Sequence, residues 1–258
     1  MPSPALTPSP DDHALAARLA TEAGELLVEL RSRLTAEGVD PKDMKDQGDH
    51  QANELLMAAI AAERAGDAVL SEESADDGAR VAERRAWIID PLDGTREFSE
   101  PPRTDWAVHV ALAIDGAPVC GAVALPAAGL TLSTATVPEV AAAPDGAPRV
   151  VVSRTRPPAA ATHLAAALGA ELVEMGSAGA KAMSVITGES DVYAHSGGQY
   201  EWDSCAPVAV AMAAGLHCSR IDGSPLVYNN TNPYLPDLLI CRAELAEPSL
   251  EALASFNE

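Results

Sequence analysis

The sequence predicts a mixed α/β protein, with an α+β first half over residues 1–145 and an α/β second half over residues 146–258. Three patterns carry this reading. The first sixty or so residues repeat leucine and alanine at helical spacing, and residues 106–135 alternate apolar and small residues in strand-length runs broken by turns. From residue 149 onward, short β-branched runs alternate with alanine-rich helical ones, a grammar that folds as layers of helix on sheet. With 258 residues, 47% of them hydrophobic, the chain can bury a large core; aromatics are only 3%, so that core is aliphatic and alanine-rich.

Taken in order, Asp11-Asp12 can cap a long first helix in which Leu15, Leu19, Ala23, Leu26, Leu30 and Leu34 recur every three to four residues. Gly38 to Gly48 reads as a polar connection. A second helix led by Asp49 then runs through Leu55, Leu56, Ala59 and Ile60 and can end at Gly66. Val69-Leu70 is a short apolar run that ends in Glu72-Glu73, and the charged, aperiodic stretch from Asp76 to Arg85 reads as a mobile loop. Trp87 to Ile89 has the character of a short buried strand that stops at Pro91, which has no N–H for a ladder.

Trp106, Val108, Val110, Leu112 and Ile114 give the next strand one fully apolar face, with His109 on the small-residue face, where a histidine is more often structural than catalytic. Turns at Asp115-Gly116 and Pro126 to Gly129 lead into Val119 to Leu125 and Leu130 to Ala135, an antiparallel meander. Val137 to Pro148, rich in Ala, Pro and Gly, marks the boundary between the halves. Beyond it, strands are expected at 149–153, 172–175, 192–193, 216–219 and 238–241, and helices at 159–168, 180–187 and 208–214.

Charge and targeting signals narrow the function classes. A formal charge of −21 excludes a nucleic-acid surface, which needs basic patches. No apolar run reaches the ~20 residues of a membrane span, and Met1 to Pro10 lacks the basic start and apolar core of a signal peptide, so the cytoplasm is expected. Cys120, Cys205, Cys218 and Cys241 are too widely spaced for a zinc or redox pair and read as reduced thiols; Cys205 has no basic neighbour in its motif to activate it.

The most informative stretch is Ile88-Ile89-Asp90-Pro91-Leu92-Asp93-Gly94-Thr95. Two carboxylates close together at the mouth of a turn repel each other unless a hard cation lies between them, and oxygen-only ligands select Mg²⁺, Mn²⁺ or Ca²⁺ over Zn²⁺. Gly94-Thr95 can open a helix whose free N–H groups suit a phosphate. The same residues also read as an Asp-Gly turn with Asp93 capping a helix. Two further stretches add acids: Glu72-Glu73 after a strand, and Trp202-Asp203 before a small-residue helix. Taken alone, these read as a solvated loop and a helix cap.

Together and in this order, the three motifs resemble those of the inositol monophosphatase superfamily of Mg²⁺-dependent, lithium-sensitive phosphomonoesterases. The version from Asp90 to Phe98, ending Thr-Arg-Glu-Phe, is similar to that of bacterial CysQ-type 3'-phosphoadenosine 5'-phosphate phosphatases. The resemblance implies a layered αβαβα sandwich of the inositol monophosphatase and fructose bisphosphatase type, with the site where the halves meet. It also implies two Mg²⁺ ions, with room for a third. Glu72, Asp90 and the Leu92 carbonyl would hold one, and Asp90, Asp93 and Asp203 the other; Glu73 is the partner of Glu72, and Asp49 stands behind them. Glu72 and Thr95 would orient the attacking water.

Asp93, Gly94, Thr95, Gly176, Ser177, Lys181, His195 and Asp203 would line the substrate site, with Lys181 or His195 meeting a second phosphate. The implied reaction is hydrolysis of 3'-phosphoadenosine 5'-phosphate to AMP and phosphate in sulfur assimilation. Inositol monophosphate and fructose-1,6-bisphosphate are further substrates or alternative main ones, and the implied assembly is a homodimer. A reading of another class is a non-catalytic module that binds metal and nucleotide on the same fold. Thr95 beside the core acids favours catalysis, since a pure binder has no need to activate water.

Overall fold

The computed structural model describes residues 6–143 and 146–256. Helix α1 (Pro10–Glu37) starts at Ser9 rather than at the aspartates that follow. The Ser9 side chain accepts the Asp12 N–H, and Asp12 Oδ2 accepts the Ser9 N–H at 2.8 Å, so both free donors are satisfied. Leu27 rather than Leu26 completes its buried stripe. Helix α2 (Pro41–Glu63) begins well before Asp49, because Asp40 accepts the Lys42 N–H and Pro41 suits the first helical position. Polar residues at 42–47 are its solvent side, not a connection. Asp49 therefore lies mid-helix and caps nothing.

These helices cover one face of a five-stranded sheet. Its order is β1 (Ala68–Ser71), β2 (Arg85–Asp93), β3 (Ala107–Ile114), β4 (Ala117–Leu125) and β5 (Leu130–Ser133), with only the β1–β2 pair parallel. The two-residue period sends Trp87, Ile89, Val108, Val110 and Leu112 toward α1 and α2, and Ile88, Ala111 and Val123 toward the opposite side. Both faces are buried. A single helical turn, α3 (Thr95–Phe98), follows β2.

The second sheet comprises β6 (Arg149–Ser153), β7 (Glu171–Met175), β8 (Val192–Tyr200), β9 (His217–Ser219) and β10 (Tyr234–Cys241), in the order β7-β6-β8-β10-β9. Between the two sheets lie α5 (Ala178–Thr187) and α6 (Glu201–Ala213). Their Met183, Val185, Val208 and Val210 share one core with Ile88 and Val123 of the first sheet and Val151, Tyr193 and Ile240 of the second. Outside the second sheet, α4 (Ala159–Leu168) and α7 (Ala246–Ala254) pack Leu164 and Leu253 against Val150, Val192 and Leu239. The stack is the αβαβα sandwich that the motifs imply.

Close approach holds the central layer in place. A Cβ on Gly121 of β4 would lie 2.8 Å from Ala209 Cβ and 2.9 Å from the Ala206 carbonyl oxygen, so α6 rests directly on bare backbone. Helix α6 starts at Glu201, and β8 reaches Tyr200, both longer than the apolar runs alone suggest; Asp203 sits in the first turn of α6 rather than at its cap. The stretch from Asp76 to Arg85 is not loose. Arg80 is 3% exposed and holds Asp76 at 2.8 Å and Asn229 at 2.9 Å. Residues 137–148 join the sheets, and the expected division at 145/146 falls at residues 144 and 145, outside those described. Among the described residues, no helix is long and apolar enough to cross a membrane.

Candidate active site

Strand β2 does not stop at Pro91. Asp90 pairs with His109 and Asp93 with Ala107, so one extra residue bulges out around Pro91, where a missing N–H disturbs no ladder bond. Asp90 and Asp93 are thereby brought together, and the first turn of α6 adds Asp203. One carboxylate oxygen from each lies within 4.8 Å of the others. Glu72, just past β1, lies beside this cluster, where the charges of Asp203 and Asp93 act on its carboxyl. Glu73 is exposed and lies outside the cluster of three; its negative charge acts on Asp49 and Glu72.

The electrostatics show what these acids lack. Burial, then the charges of Glu72, Asp93 and Asp203, pushes the Asp90 carboxyl well above the usual range. Desolvation in the cleft and the neighbouring acids push Glu72 and Asp203 up to about 7, although Glu72 still reaches solvent. Asp49, beside the two glutamates, is pushed up to about 8, mainly by desolvation. Among the described residues, no donor reaches the buried Asp90 Oδ2. A buried carboxylate oxygen without a donor, among oxygen ligands only, fits a hard divalent cation.

Asp93 behaves differently. Burial alone would raise its pKa, but His109, Lys181 and Ser177 more than reverse this and hold it below the ordinary range. Its carboxylate accepts Ser177 Oγ–H at 2.5 Å and the N–H groups of Ala178 at 3.0 Å and Gly179 at 2.6 Å, so it serves the N-terminus of α5. With Oδ2 taken by Ser177 and Gly179, the free lone pair for a cation is on Oδ1. Oδ1 also accepts the Ala178 N–H and keeps its second lone pair, so the capping role and the acid role are compatible on the same group.

His109, the residue sequence reasoning set aside as structural, sits at the centre. It is fully buried, donates from Nδ1 to the Trp202 carbonyl at 3.0 Å, and places Nε2 3.2 Å from Asp93 Oδ2. Gly179 makes room for it, since a Cβ there would lie 2.0 Å from Nε2. A lone histidine among small residues carries no pattern that marks this role.

Of the substrate-side candidates, Gly94, Thr95, Gly176, Ser177 and Lys181 line one cleft together, and His195 is not among its lining residues. Lys181 is buried, and its ammonium donates to the carbonyls of Gly176 at 2.9 Å and Ser177 at 2.8 Å, so it braces the turn ahead of α5. His195 bonds the Gly197 carbonyl at 2.6 Å, and burial lowers its pKa to about 4; it is neutral near pH 7 and offers no charge to a phosphate. Further basic groups come from Arg96, Arg154 and Arg156, which line the same cleft of about 270 Å³. Arg154 is fixed by Glu97 at 2.7 Å, while Arg156 is exposed and pairs with no acid among the described residues. Arg96 follows the Asp-Gly-Thr motif and could be read as reaching substrate, whereas Arg154 and Arg156 lie in a loop that carries no sequence signal. Burial pushes the Cys205 thiol far up, which removes it as a nucleophile.

Comparison with known proteins agrees with this geometry. The profile described as "Inositol monophosphatase family" matches residues 11–253. A 3'-phosphoadenosine 5'-phosphate phosphatase of Mycobacterium tuberculosis is 53% identical over 242 residues, covering 90% of each chain. One from Mycobacterium leprae is 52% identical over 248 residues, covering 91% of this chain and 90% of that one. Among solved structures, CysQ from Bacteroides thetaiotaomicron superposes with a TM-score of 0.71 at 26% identity, covering 90% of this chain and 97% of its own. From the profile, the relatives and the shared layers alike, the chain belongs to the inositol monophosphatase family.

Proposed function

We propose that the protein is a metal-dependent phosphomonoesterase that hydrolyses 3'-phosphoadenosine 5'-phosphate to AMP and phosphate, as the names of its mycobacterial relatives describe for them. The observation that carries the reading is the convergence of Glu72, Asp90, Asp93 and Asp203, from three separate stretches of chain, beside an arginine-lined cleft. Asp90 Oδ2, Asp93 Oδ1, Asp203, Glu72 and the Leu92 carbonyl would hold Mg²⁺. Bound there, Mg²⁺ supplies positive charge to the phosphoryl oxygens and makes water a better nucleophile near pH 7.

The chain's own groups do the rest. Glu72 and Thr95 orient water for in-line attack on phosphorus, and the Gly94 and Thr95 N–H groups hold phosphoryl oxygens where charge is redistributed. The P–O bond to the sugar 3'-oxygen breaks, and that oxygen leaves with a proton. His109 and Lys181 keep Asp93 ionised and aimed. Arg156, which lines the cleft with Gly94 and Thr95, and Arg154, braced by Glu97 and Glu100, suit a second phosphate and so favour a bisphosphate over inositol monophosphate. The product and reaction place the activity in sulfur assimilation.

Phosphate release from 3'-phosphoadenosine 5'-phosphate, inositol 1-phosphate and fructose-1,6-bisphosphate tests the proposal. The nucleotide should be turned over most efficiently with Mg²⁺, and EDTA or Li⁺ should suppress release. Equal release with EDTA, or none from any of the three with Mg²⁺, would contradict it.

A further inference from the structure

We infer that Tyr200, Trp202 and Tyr234 form a stacking platform for the purine base of the nucleotide, an inference that rests on the substrate proposed above. The chain has three Trp, four Tyr and two Phe. Trp87, Trp106, Phe98, Tyr193 and Tyr228 are fully buried, and Phe256 packs beside His163 at 5.5 Å. The remaining three gather at one place: Tyr200 and Tyr234 face solvent, while Trp202 is half-buried and packs against the core between the sheets. Tyr200 and Trp202 stack with ring centroids 4.8 Å apart and planes 9° from parallel, and Tyr234 meets Tyr200 edge-on at 5.8 Å. Tyr200 and Tyr234 are each 41% exposed. Core packing accounts for Trp202 but not for the two exposed tyrosine rings gathered beside it in a chain this poor in aromatics.

Its position points to the occupant. The Tyr200 N–H donates to Asp203 Oδ2 at 2.6 Å, and the Trp202 carbonyl accepts from His109, so the rings grow from the same turn that presents an acid to the site. A nucleotide with its phosphate at the acids would turn its base toward the rings that this turn carries. An uncharged purine is also the part of the substrate that this acidic surface does not repel. Beside the rings, a Cβ on Gly197 or Gly198 would meet nothing within 4 Å, which leaves room for a ligand. The Gly198 N–H donates to the Tyr234 hydroxyl at 3.2 Å and fixes the phenol, whose own hydrogen stays available to a ring nitrogen. Base stacking on aromatic side chains is sequence-tolerant and strong enough to set affinity.

Two readouts test this. The ratio of kcat/KM for 3'-phosphoadenosine 5'-phosphate to that for inositol 1-phosphate, which has no base, should fall roughly 10-fold in Tyr200→Ala and in Tyr234→Ala, and hold in Tyr200→Phe. AMP should quench the fluorescence of Trp202, the one tryptophan that is not fully buried, and its affinity should weaken in the same variants by a similar factor. Unchanged ratios and AMP affinities in both alanine variants would overturn the platform, as would variants that alter self-association while AMP affinity holds, since the face would then join copies of the chain. If wild-type protein releases phosphate from neither compound, the substrate proposal fails, and the AMP titration still decides the platform.

Discussion

In the proposed reaction Asp93 meets two demands at once: it holds the N-terminus of α5 and would offer an oxygen to a cation. Asp93→Asn keeps one acceptor but turns an amide donor toward groups that already donate, from Ser177, Ala178 or Gly179. The variant is expected to fold and to lose phosphatase kcat by on the order of 100-fold at saturating Mg²⁺, read by phosphate release. Near-normal turnover would remove Asp93 from the mechanism. Arg156→Ala tests the opposite side of the cleft. Loss of a charge-assisted contact should raise KM for a bisphosphate roughly 10-fold and affect a monophosphate less. The acids were legible in the sequence because Glu72-Glu73 and Asp90 each follow a short apolar run, Asp203 precedes a small-residue helix, and the three stretches recur in order. His109, Arg154 and Arg156 were not, because nothing periodic or local marks a residue whose meaning comes from what lies across a layer.

At the scale of elements, the site depends on how closely α5 and α6 approach the first sheet. Gly121→Ala in β4 would press on the Ala206 carbonyl, and the backbone cannot yield as a flexible side chain would. Overpacking of this kind costs about 1–3 kcal/mol, and here it also shifts the helix that carries Asp203. A lower urea midpoint together with weaker Mg²⁺ dependence is expected; a lower midpoint with normal Mg²⁺ dependence would mean that α6 holds its place. Gly179→Ala puts a methyl against His109 Nε2 and should damage activity more than stability, since His109 and Asp93 must move apart to admit it. Strand and helix order was readable from alternation and helical spacing. Element ends were misread where a cap or bulge overrode composition: Asp40 and Pro41 start α2 ahead of a polar stretch, and the bulge at Pro91 lets β2 continue past a residue that would otherwise end it.

For the molecule as a whole, the two halves meet at a concentration of negative charge within a chain of formal charge −21. Glu72 and Asp203 at about 7 and Asp49 at about 8 are raised above their unfolded values, so the folded state binds protons that the unfolded chain has released. The sign follows: their contribution is fully present below about pH 4, where the unfolded groups titrate, and is lost as pH rises through 7 to 8 in the absence of metal. In EDTA, Tm should therefore fall across this upper window. Saturating Mg²⁺ should raise it by roughly 5–10 °C near pH 8 and by less near pH 6, where protons compete for the same oxygens. A pH-independent Mg²⁺ shift would place the cation away from these acids.

The most direct test is anomalous scattering from crystals soaked in Mn²⁺, which takes the same oxygen ligands as Mg²⁺. The account predicts peaks between Asp90, Asp93 and Asp203, reaching to Glu72, in wild-type protein and their loss in Asp93→Asn. Peaks only at other acids, or none at Asp90, would contradict it.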